Sequence, residues 1–188
     1  MLTQIDAPLF LSGEWNALWE DYGIEPLFAP RDAAKHFRNR VPSPVDSVTL
    51  LVEGNPTSHL VFVVPQLSPA ADELFTKMIE AMKWRRETAH LIFLPKELPI
   101  ASLTPAVEYY VSSLSPKVIV AMGDVAIEAL FRSTTNISQS RGKFRHLDQT
   151  RSVVVMSTAS PELLLQKPES KKLVWEDLKL VVSYLNGP

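Results

Sequence analysis

The feature that most constrains this chain is a set of short apolar runs that do not alternate with polar residues. Four of these runs have the length of a strand: Leu60–Pro65, His90–Leu94, Lys117–Met122 and Ser152–Ser157. Apolar residues at helical spacing mark the stretches between and after them: Pro69–Lys83, Asp124–Phe131 and Ser170–Leu185. Strands that are apolar throughout are buried on both faces. The sequence therefore predicts an α/β protein of three layers, α/β/α, with a mostly parallel central sheet.

Three local details are predicted within this plan. Val48–Val52 is expected to form a hairpin with the strand at Leu60, through a turn at Glu53–Pro56. Thr104 and Pro105 are expected to open a helix that runs to about Leu114, because proline suits the first helical position. In the final helix, four side chains are expected to face inward: Leu173, Leu178, Val181 and Leu185.

The first 40 residues differ in character from the rest. Residues 1–30 contain five acidic residues and no Lys or Arg. Trp15, Leu18, Trp19 and Tyr22 recur at helical spacing, which suits either a core stripe or a face that docks on a partner protein. We therefore expect an acidic, aromatic arm and linker over residues 1–40 and an α/β domain over residues 41–188.

Composition excludes several kinds of function. The formal net charge is −2, so bulk positive charge cannot hold this chain to nucleic acid. The absence of cysteine excludes disulfides, thiol catalysis and cysteine-held iron–sulfur clusters, and the four histidines are scattered. No cofactor or metal site is expected. No signal peptide or membrane-spanning run is recognised, which predicts a cytoplasmic protein.

Ligands of parallel sheets bind beyond the carboxyl ends of the strands, here the loops after Val64, Leu94, Met122 and Ser157. The stretch 132–151 adds five basic residues and one acidic residue. Its candidate DNA contacts are Arg141, Lys143, Arg145 and Arg151. A solvated loop is an equally acceptable reading of these charges.

Several segments together resemble the uracil-DNA glycosylase superfamily. They are the strand and following Gly-x-x-Ala at 115–126, Arg141-Gly142, the strand at 153–158, Ser160-Pro161-Glu162 and Pro168–Lys171. The resemblance implies the three-layer fold and enzymes that flip a base out of the stack and cleave its bond to the sugar.

The chain departs from this superfamily where the catalytic groups are expected. The resemblance implies a carboxylate or amide after the first main strand, to place the water, and a histidine before proline in the last loop. Here the first position reads Gln66-Leu67 and has no carboxylate, and Ser160 stands where the histidine would be. Glu162, in the loop that the family inserts into DNA, would repel phosphate. We therefore expect no glycosylase catalysis from these positions.

A second resemblance fits these losses better. The order of Trp19–Ile24, Val61–Pro69, Ala159–Leu163 and Leu173–Trp175 is similar to the psi-subunit family of the bacterial DNA polymerase III clamp-loader assembly. This resemblance implies a non-catalytic interaction module in DNA replication or repair. Its partner would be another replication or repair protein, for instance a clamp-loader component, bound through the arm or a sheet edge, with weak DNA binding at most.

Three alternatives remain from the sequence. A glycosylase with a rearranged site would use Asp72 or Glu73, although both also suit the first turn of a helix that begins near Pro69. A small-ligand-binding α/β domain is disfavoured by the missing glycine-rich loop. A serine hydrolase would need a base such as His90 or His146 within reach of Ser160.

Overall fold

The computed structural model describes residues 39–42, 48–132, 137–147 and 152–187, and within 39–42 it describes the backbone alone. The helices in these ranges are α1 (Pro69–Ala81), α2 (Ile100–Ser112), α3 (Asp124–Phe131), α4 (Ile137–Ser140), α5 (Pro161–Gln166) and α6 (Lys171–Asn186). A 3-10 turn, Pro168–Ser170, precedes α6. The strands are β1 (Asn39–Pro42), β2 (Thr49–Gly54), β3 (Leu60–Pro65), β4 (His90–Leu94), β5 (Val118–Met122), β6 (Phe144–His146) and β7 (Val154–Thr158).

The strands form one seven-stranded sheet in the order β1-β2-β4-β3-β5-β7-β6. The four central strands, β4, β3, β5 and β7, are parallel. The flanking strands β1, β2 and β6 pair antiparallel. The α/β class is thus confirmed, but the sheet is mixed, and the expected parallel arrangement holds only for its centre. The sequence reading did not identify β1 and β6 because both are short and lack a continuous apolar run.

Side chains of the central strands alternate between two apolar cores on opposite faces of the sheet. In β3, Leu60, Phe62 and Val64 face the first core, with α1, α5 and α6. Val61 and Val63 face the second core, with α2 and α3. All five side chains are at most 1% exposed. Burial on both faces explains why these runs contain no alternating polar residues.

The predicted hairpin between the segment at Val48–Val52 and β3 is wrong. β4 lies between β2 and β3 and pairs antiparallel with β2 and parallel with β3. The chain turns away after β2 at Gly54, whose φ is +84°, and the Asn55 N–H donates to the Ala89 carbonyl at 2.9 Å. A turn does follow β2, where the Ser58 N–H donates to the Asn55 carbonyl at 3.0 Å, but Glu53 and Gly54 of the predicted turn belong to β2. The strand that lies beside β2 comes from 36 residues further along, since Gly54 pairs with His90.

Helix boundaries follow local signals, with one correction. The Ser68 side chain caps α1 by accepting from the Ala71 N–H at 3.4 Å, as its place before Pro69 favours. However, α2 begins at Ile100 with Pro99 as its cap, so Pro105 lies inside the helix and not at its first position.

In α6, Leu173 is 44% exposed, whereas Val174 is buried. The expected inward face is therefore wrong at Leu173.

The predicted arm lies almost wholly outside the described residues. Trp15, Leu18, Trp19 and Tyr22 all fall outside them. Two residues assigned to the linker, Asn39 and Arg40, belong to β1 and pair with Val52 and Leu51 of β2. The sheet therefore includes the last residues of the segment that was assigned to the linker.

Candidate functional site

The carboxyl ends of β3, β4, β5 and β7 meet at one edge of the sheet, which we call the carboxyl edge. This is the edge at which a parallel sheet is expected to bind its ligand. Its loops are joined by backbone hydrogen bonds: Gln66 N–H donates to Leu94 O at 2.8 Å, and Gly123 N–H donates to Thr158 O at 2.9 Å. The strand ends are thus held in fixed positions relative to one another.

Glu162, in the first turn of α5, joins two of these loops. Its carboxylate accepts a 2.6 Å hydrogen bond from the Ser68 N–H, after β3, and lies 3.7 Å from the Lys96 ammonium, after β4. The Ser68 N–H, more than the lysine, lowers the pKa of Glu162 below its ordinary value. The carboxylate is therefore ionised at neutral pH and bonded to this chain's own backbone. We call this contact the Ser68–Glu162 link.

Ser160 is the cap of α5. Its Oγ accepts from the Leu163 N–H at 3.3 Å. Gly123, with a φ of +88°, lies so close that a Cβ placed on it would be 3.1 Å from the Ser160 Cβ. A serine at this position therefore serves the start of a helix and packs against the turn after β5.

The bases considered for Ser160 are engaged elsewhere or lie on another strand. His90 Nε2 is 3.0 Å from the Tyr110 hydroxyl, and burial lowers the pKa of His90 to about 4, so the ring is neutral at pH 7. His146 is exposed at the end of β6. The geometry gives Ser160 no histidine partner among the described residues.

Gln66 and Leu67 also have structural surroundings. Both side chains are half-buried, and Leu67 packs against the first core. The Gln66 backbone helps to join the loops, as described above. Gln66 and Leu67, at the position where the resemblance implies a water-placing group, thus lie next to Ser68 of the Ser68–Glu162 link. Neither residue carries a carboxylate.

Asp72 and Glu73 both lie at the start of α1, as expected. The Asp72 carboxylate accepts from Arg86 at 3.2 Å, and Glu73 forms an exposed ion pair with Lys77 at 2.7 Å, which lowers the pKa of Glu73. Asp72 thus contacts the buried Arg86, whereas Glu73 stays exposed in its ion pair.

Sequence reasoning missed Arg86, which is only 3% exposed. Its guanidinium binds both carboxylate oxygens of Glu53 in β2, at 2.7 and 2.9 Å, and donates to Thr76 Oγ1 at 2.8 Å. Burial opposes its charge, yet Glu53 and Asp72 raise the pKa of Arg86 above its ordinary value. This network joins β2 to α1. No local sequence pattern marks it, because its charged partners, Asp72 and Glu53, are 14 and 33 residues away.

Arg141, the first candidate DNA contact, is held by α6. Its guanidinium donates to Asp177 Oδ1 at 2.9 Å and to the Leu173 carbonyl at 2.8 Å. Asp177 is 2% exposed and also accepts from the Thr158 hydroxyl at 2.7 Å. Burial raises the pKa of Asp177, and Thr158 and Arg141 oppose that rise. The charge of Arg141 thus compensates a buried carboxylate at the end of β7.

The other candidate DNA contacts differ from Arg141 in their surroundings. Arg145 lies over the Phe131 ring, 3.9 Å from its centroid, on the face of the second core. Phe144, one residue earlier, faces the opposite side and contacts Tyr184, with ring centroids 5.0 Å apart. Lys143 is exposed, and Arg151 lies outside the described residues. Of the described candidates, Arg141 and Arg145 thus contact groups of the protein itself, whereas Lys143 is exposed.

A cleft of about 800 Å³ lies at the opposite edge, beside the amino ends of β5 and β7. Apolar side chains such as Val111, Leu130 and Phe131 line it, and an ion pair between Glu108 and Arg132 stands at its rim. Its volume is in the range of small-molecule sites. The sequence reading placed ligand binding at the carboxyl edge and did not anticipate this cleft.

Comparisons with known proteins add no assignment: no protein-family model matches the chain, and no curated protein sequence is similar to it. Within the described ranges, no group of three or more His, Asp or Glu side chains is arranged to hold a metal ion. None of the described helices combines the length and the apolar character that crossing a membrane requires.

Proposed function

We propose that this protein is a non-catalytic interaction module of bacterial DNA replication or repair, with a uracil-DNA glycosylase-like fold and a role similar to that of the psi subunit. The observation that carries the non-catalytic part is the place of Ser160. The resemblance implies a histidine at this position, whereas here the Ser160 Oγ accepts from the Leu163 N–H and caps α5. Gln66 keeps an amide after β3, and the Glu162 carboxylate is bonded to the Ser68 N–H.

The role in replication or repair is supported by the order of the psi-like segments. Three of them fall on elements that the structure describes: Val61–Pro69 covers β3 and its loop, Ala159–Leu163 covers the start of α5, and Leu173–Trp175 lies in the first turns of α6. The first two meet at the Ser68–Glu162 link. A segment order of this kind supports a shared scaffold, and a scaffold without catalytic groups is suited to binding other proteins.

Two assays with the full chain test the proposal. The first incubates excess protein with uracil-containing single-stranded and duplex DNA. We expect no base excision. Excision by the wild-type chain that is lost in Asp72→Asn or Glu73→Gln, but kept in Glu169→Gln, would show that the proposal is wrong. The protein would then be a glycosylase whose catalytic carboxylate lies at the start of α1.

The second assay uses the tagged chain as bait for purified clamp-loader, clamp and single-strand-binding proteins from a bacterial replication system. We expect retention of at least one of them at physiological salt. If none is retained, and none of a matching set of repair proteins is retained either, the replication and repair role is wrong even if excision is absent.

A further inference from the structure

One side of α6 exposes a row of large apolar side chains. Leu173, Leu180 and Tyr184 are 44%, 45% and 46% exposed. Their spacing of seven and four residues places them on the same side of the helix. Isolated exposed apolar residues are ordinary, but an aligned row of them is typical of a contact surface.

This row is continuous with the edge strand β6. The Tyr184 ring contacts the Phe144 ring, with centroids 5.0 Å apart, and the Arg141 guanidinium donates to the Leu173 carbonyl at the other end of the row. We call the surface formed by Leu173, Leu180, Tyr184 and the strand Phe144–His146 the β6–α6 face.

The backbone of β6 is oriented to pair with a further strand. Among the described strands, β6 pairs only with β7. Leu147 N–H donates to Val153 O at 3.0 Å, and the register then makes Arg145 and Val155 the next hydrogen-bonded pair. The N–H and C=O groups of Phe144 and His146 therefore point away from β7. Such an edge is a template for strand addition.

The charge of this edge selects the kind of partner. Residues 137–147 contain Arg141, Lys143 and Arg145 and no acidic residue. Arg141 is neutralised by Asp177, whereas Lys143 and Arg145 form no ion pair with a described residue. The edge therefore keeps a positive charge that favours an acidic partner and disfavours a basic one.

We propose that the β6–α6 face binds an extended acidic segment of a partner protein, which adds a strand to β6. Its alternate apolar side chains pack on Phe144, Leu180 and Tyr184, and its carboxylates lie near Lys143 and Arg145. Strand addition of this kind takes affinity from main-chain hydrogen bonds and specificity from alternate side chains. The inference rests on the proposed function, because it names the surface through which an interaction module would act.

The first experiment selects peptides from a displayed library of random twelve-residue sequences on the immobilised full chain. We expect enriched peptides that are acidic and alternate apolar with polar residues. A synthetic peptide of the enriched sequence is then compared with two versions N-methylated on alternate residues. Methylation on one set of amides, those facing β6, should abolish binding, and methylation on the other set should not. Absence of enrichment, or equal effects of both sets, overturns the proposal.

The second experiment measures the same peptide on variants by fluorescence anisotropy. Leu180→Glu and Lys143→Glu should each weaken binding by about tenfold or more. Leu165→Glu is the matched control, because Leu165 in α5 is 42% exposed but lies outside the β6–α6 face. Melting curves show that each variant is folded. Equal affinity for Leu180→Glu and Leu165→Glu, or displacement of the peptide by single-stranded DNA, would overturn the assignment.

The bait assay described above separates the two proposals. If the double variant Leu180→Glu, Lys143→Glu retains the same replication protein as the wild-type chain, the proposal that the β6–α6 face binds the partner is wrong. The proposal that the protein is an interaction module is then unaffected. If acidic peptides bind this face but no replication or repair protein is retained, the surface stands and the proposed role is wrong.

Discussion

At the scale of single residues, Glu162 is the one whose role in the structure differs most from the role that the sequence indicates. From the sequence it is an acidic residue that would repel phosphate in a DNA-inserting loop. In the structure it is the acceptor for the Ser68 N–H, 94 positions away, and it joins the loops after β3 and β7. No local pattern contains a pairing of that separation. The same residue therefore has a hydrogen-bonding role within the fold that its charge alone does not indicate.

Glu162→Gln tests the strength of the Ser68–Glu162 link. A hydrogen bond to a charged acceptor contributes about 1.5–3 kcal/mol, and the amide should keep only part of that. The folded-state pKa of Glu162 is lowered, so the stabilisation is present above the ordinary value of 4.5 and is lost as pH falls through the folded pKa. Urea unfolding should show a difference from wild type that is constant above about pH 6 and closes below about pH 4.

Glu169→Gln is the control for this measurement, because Glu169 is exposed in the next turn. It should change stability by less than about 0.5 kcal/mol at every pH. A Glu162→Gln variant that matches this control at pH 7 would show that the link carries no stability.

Arg141→Ala tests whether that arginine is structural. Removing it leaves the Asp177 carboxylate buried without its cation, so the pKa of Asp177 should rise further above its ordinary value. A raised carboxylate pKa means that stability is greatest at low pH and is lost as pH rises through it. The variant should therefore lose more stability relative to wild type at pH 7 than at pH 4, by about 2 kcal/mol or more at pH 7. Lys143→Ala should show no such pH dependence, and equal losses at both pH values would contradict this account.

At the scale of elements, the sequence identifies those whose signals are local. Asp124–Phe131 is a helix with the predicted bounds, and α1 starts where Ser68 and Pro69 indicate. The predicted partner of β2 is wrong because pairing depends on strands far apart in the chain. A turn rich in Gly, Asn and Pro tells where a strand ends and not which strand lies beside it.

Gly54→Ala tests the close approach between the end of β2 and the segment before β4. A Cβ at Gly54 would be 2.5 Å from the Arg86 carbonyl and closer still to the Ala89 carbonyl, at a φ of +84°. Both obstacles are backbone atoms, so the unfolding free energy should fall by roughly 3 kcal/mol or more. The measurement is urea unfolding followed by tryptophan fluorescence.

Gly187→Ala is the matched control, because Gly187 has a similar φ of +72° but open space around it. It should cost only the backbone strain, about 1 kcal/mol. If the two variants lose equal stability, crowding at Gly54 contributes nothing.

At the scale of the whole molecule, the sequence predicts the class of fold better than the site. Apolar runs predict a sheet covered on both faces, because burial acts on every residue of a strand. The site depends on which side chains meet across loops, and here Glu162, Asp72 and Arg141 each have a partner that no spacing indicates. Of the described residues predicted to contact DNA, Arg141 and Arg145 contact groups of the fold, and Lys143 is exposed.

Weak DNA binding is the expectation for the whole molecule. With a net charge of −2 and with Arg141 paired to Asp177, the chain should bind a 30-base-pair duplex more weakly than about 10⁻⁵ M at 0.15 M salt. The plot of log affinity against log salt should have a slope shallower than about −2. Lys143→Ala and Lys117→Ala, both at exposed lysines, should then give equal affinities. A steep slope that only Lys143→Ala reduces would instead show phosphate contact at β6.

The place of β4 between β2 and β3 has a consequence for how the protein is made. On the ribosome, β1, β2 and β3 emerge before β4, yet neither β2 nor β3 can join the other without it. Until residue 94 has left the exit tunnel, β4 cannot pair with β2 of the nascent β1–β2 pair. During that time the apolar strand β3 is also without β4 beside it. Contacts between distant parts of a chain slow folding and leave apolar surface exposed to solvent for longer. Until β4 has been made, the nascent chain therefore exposes an apolar strand to which a chaperone can bind.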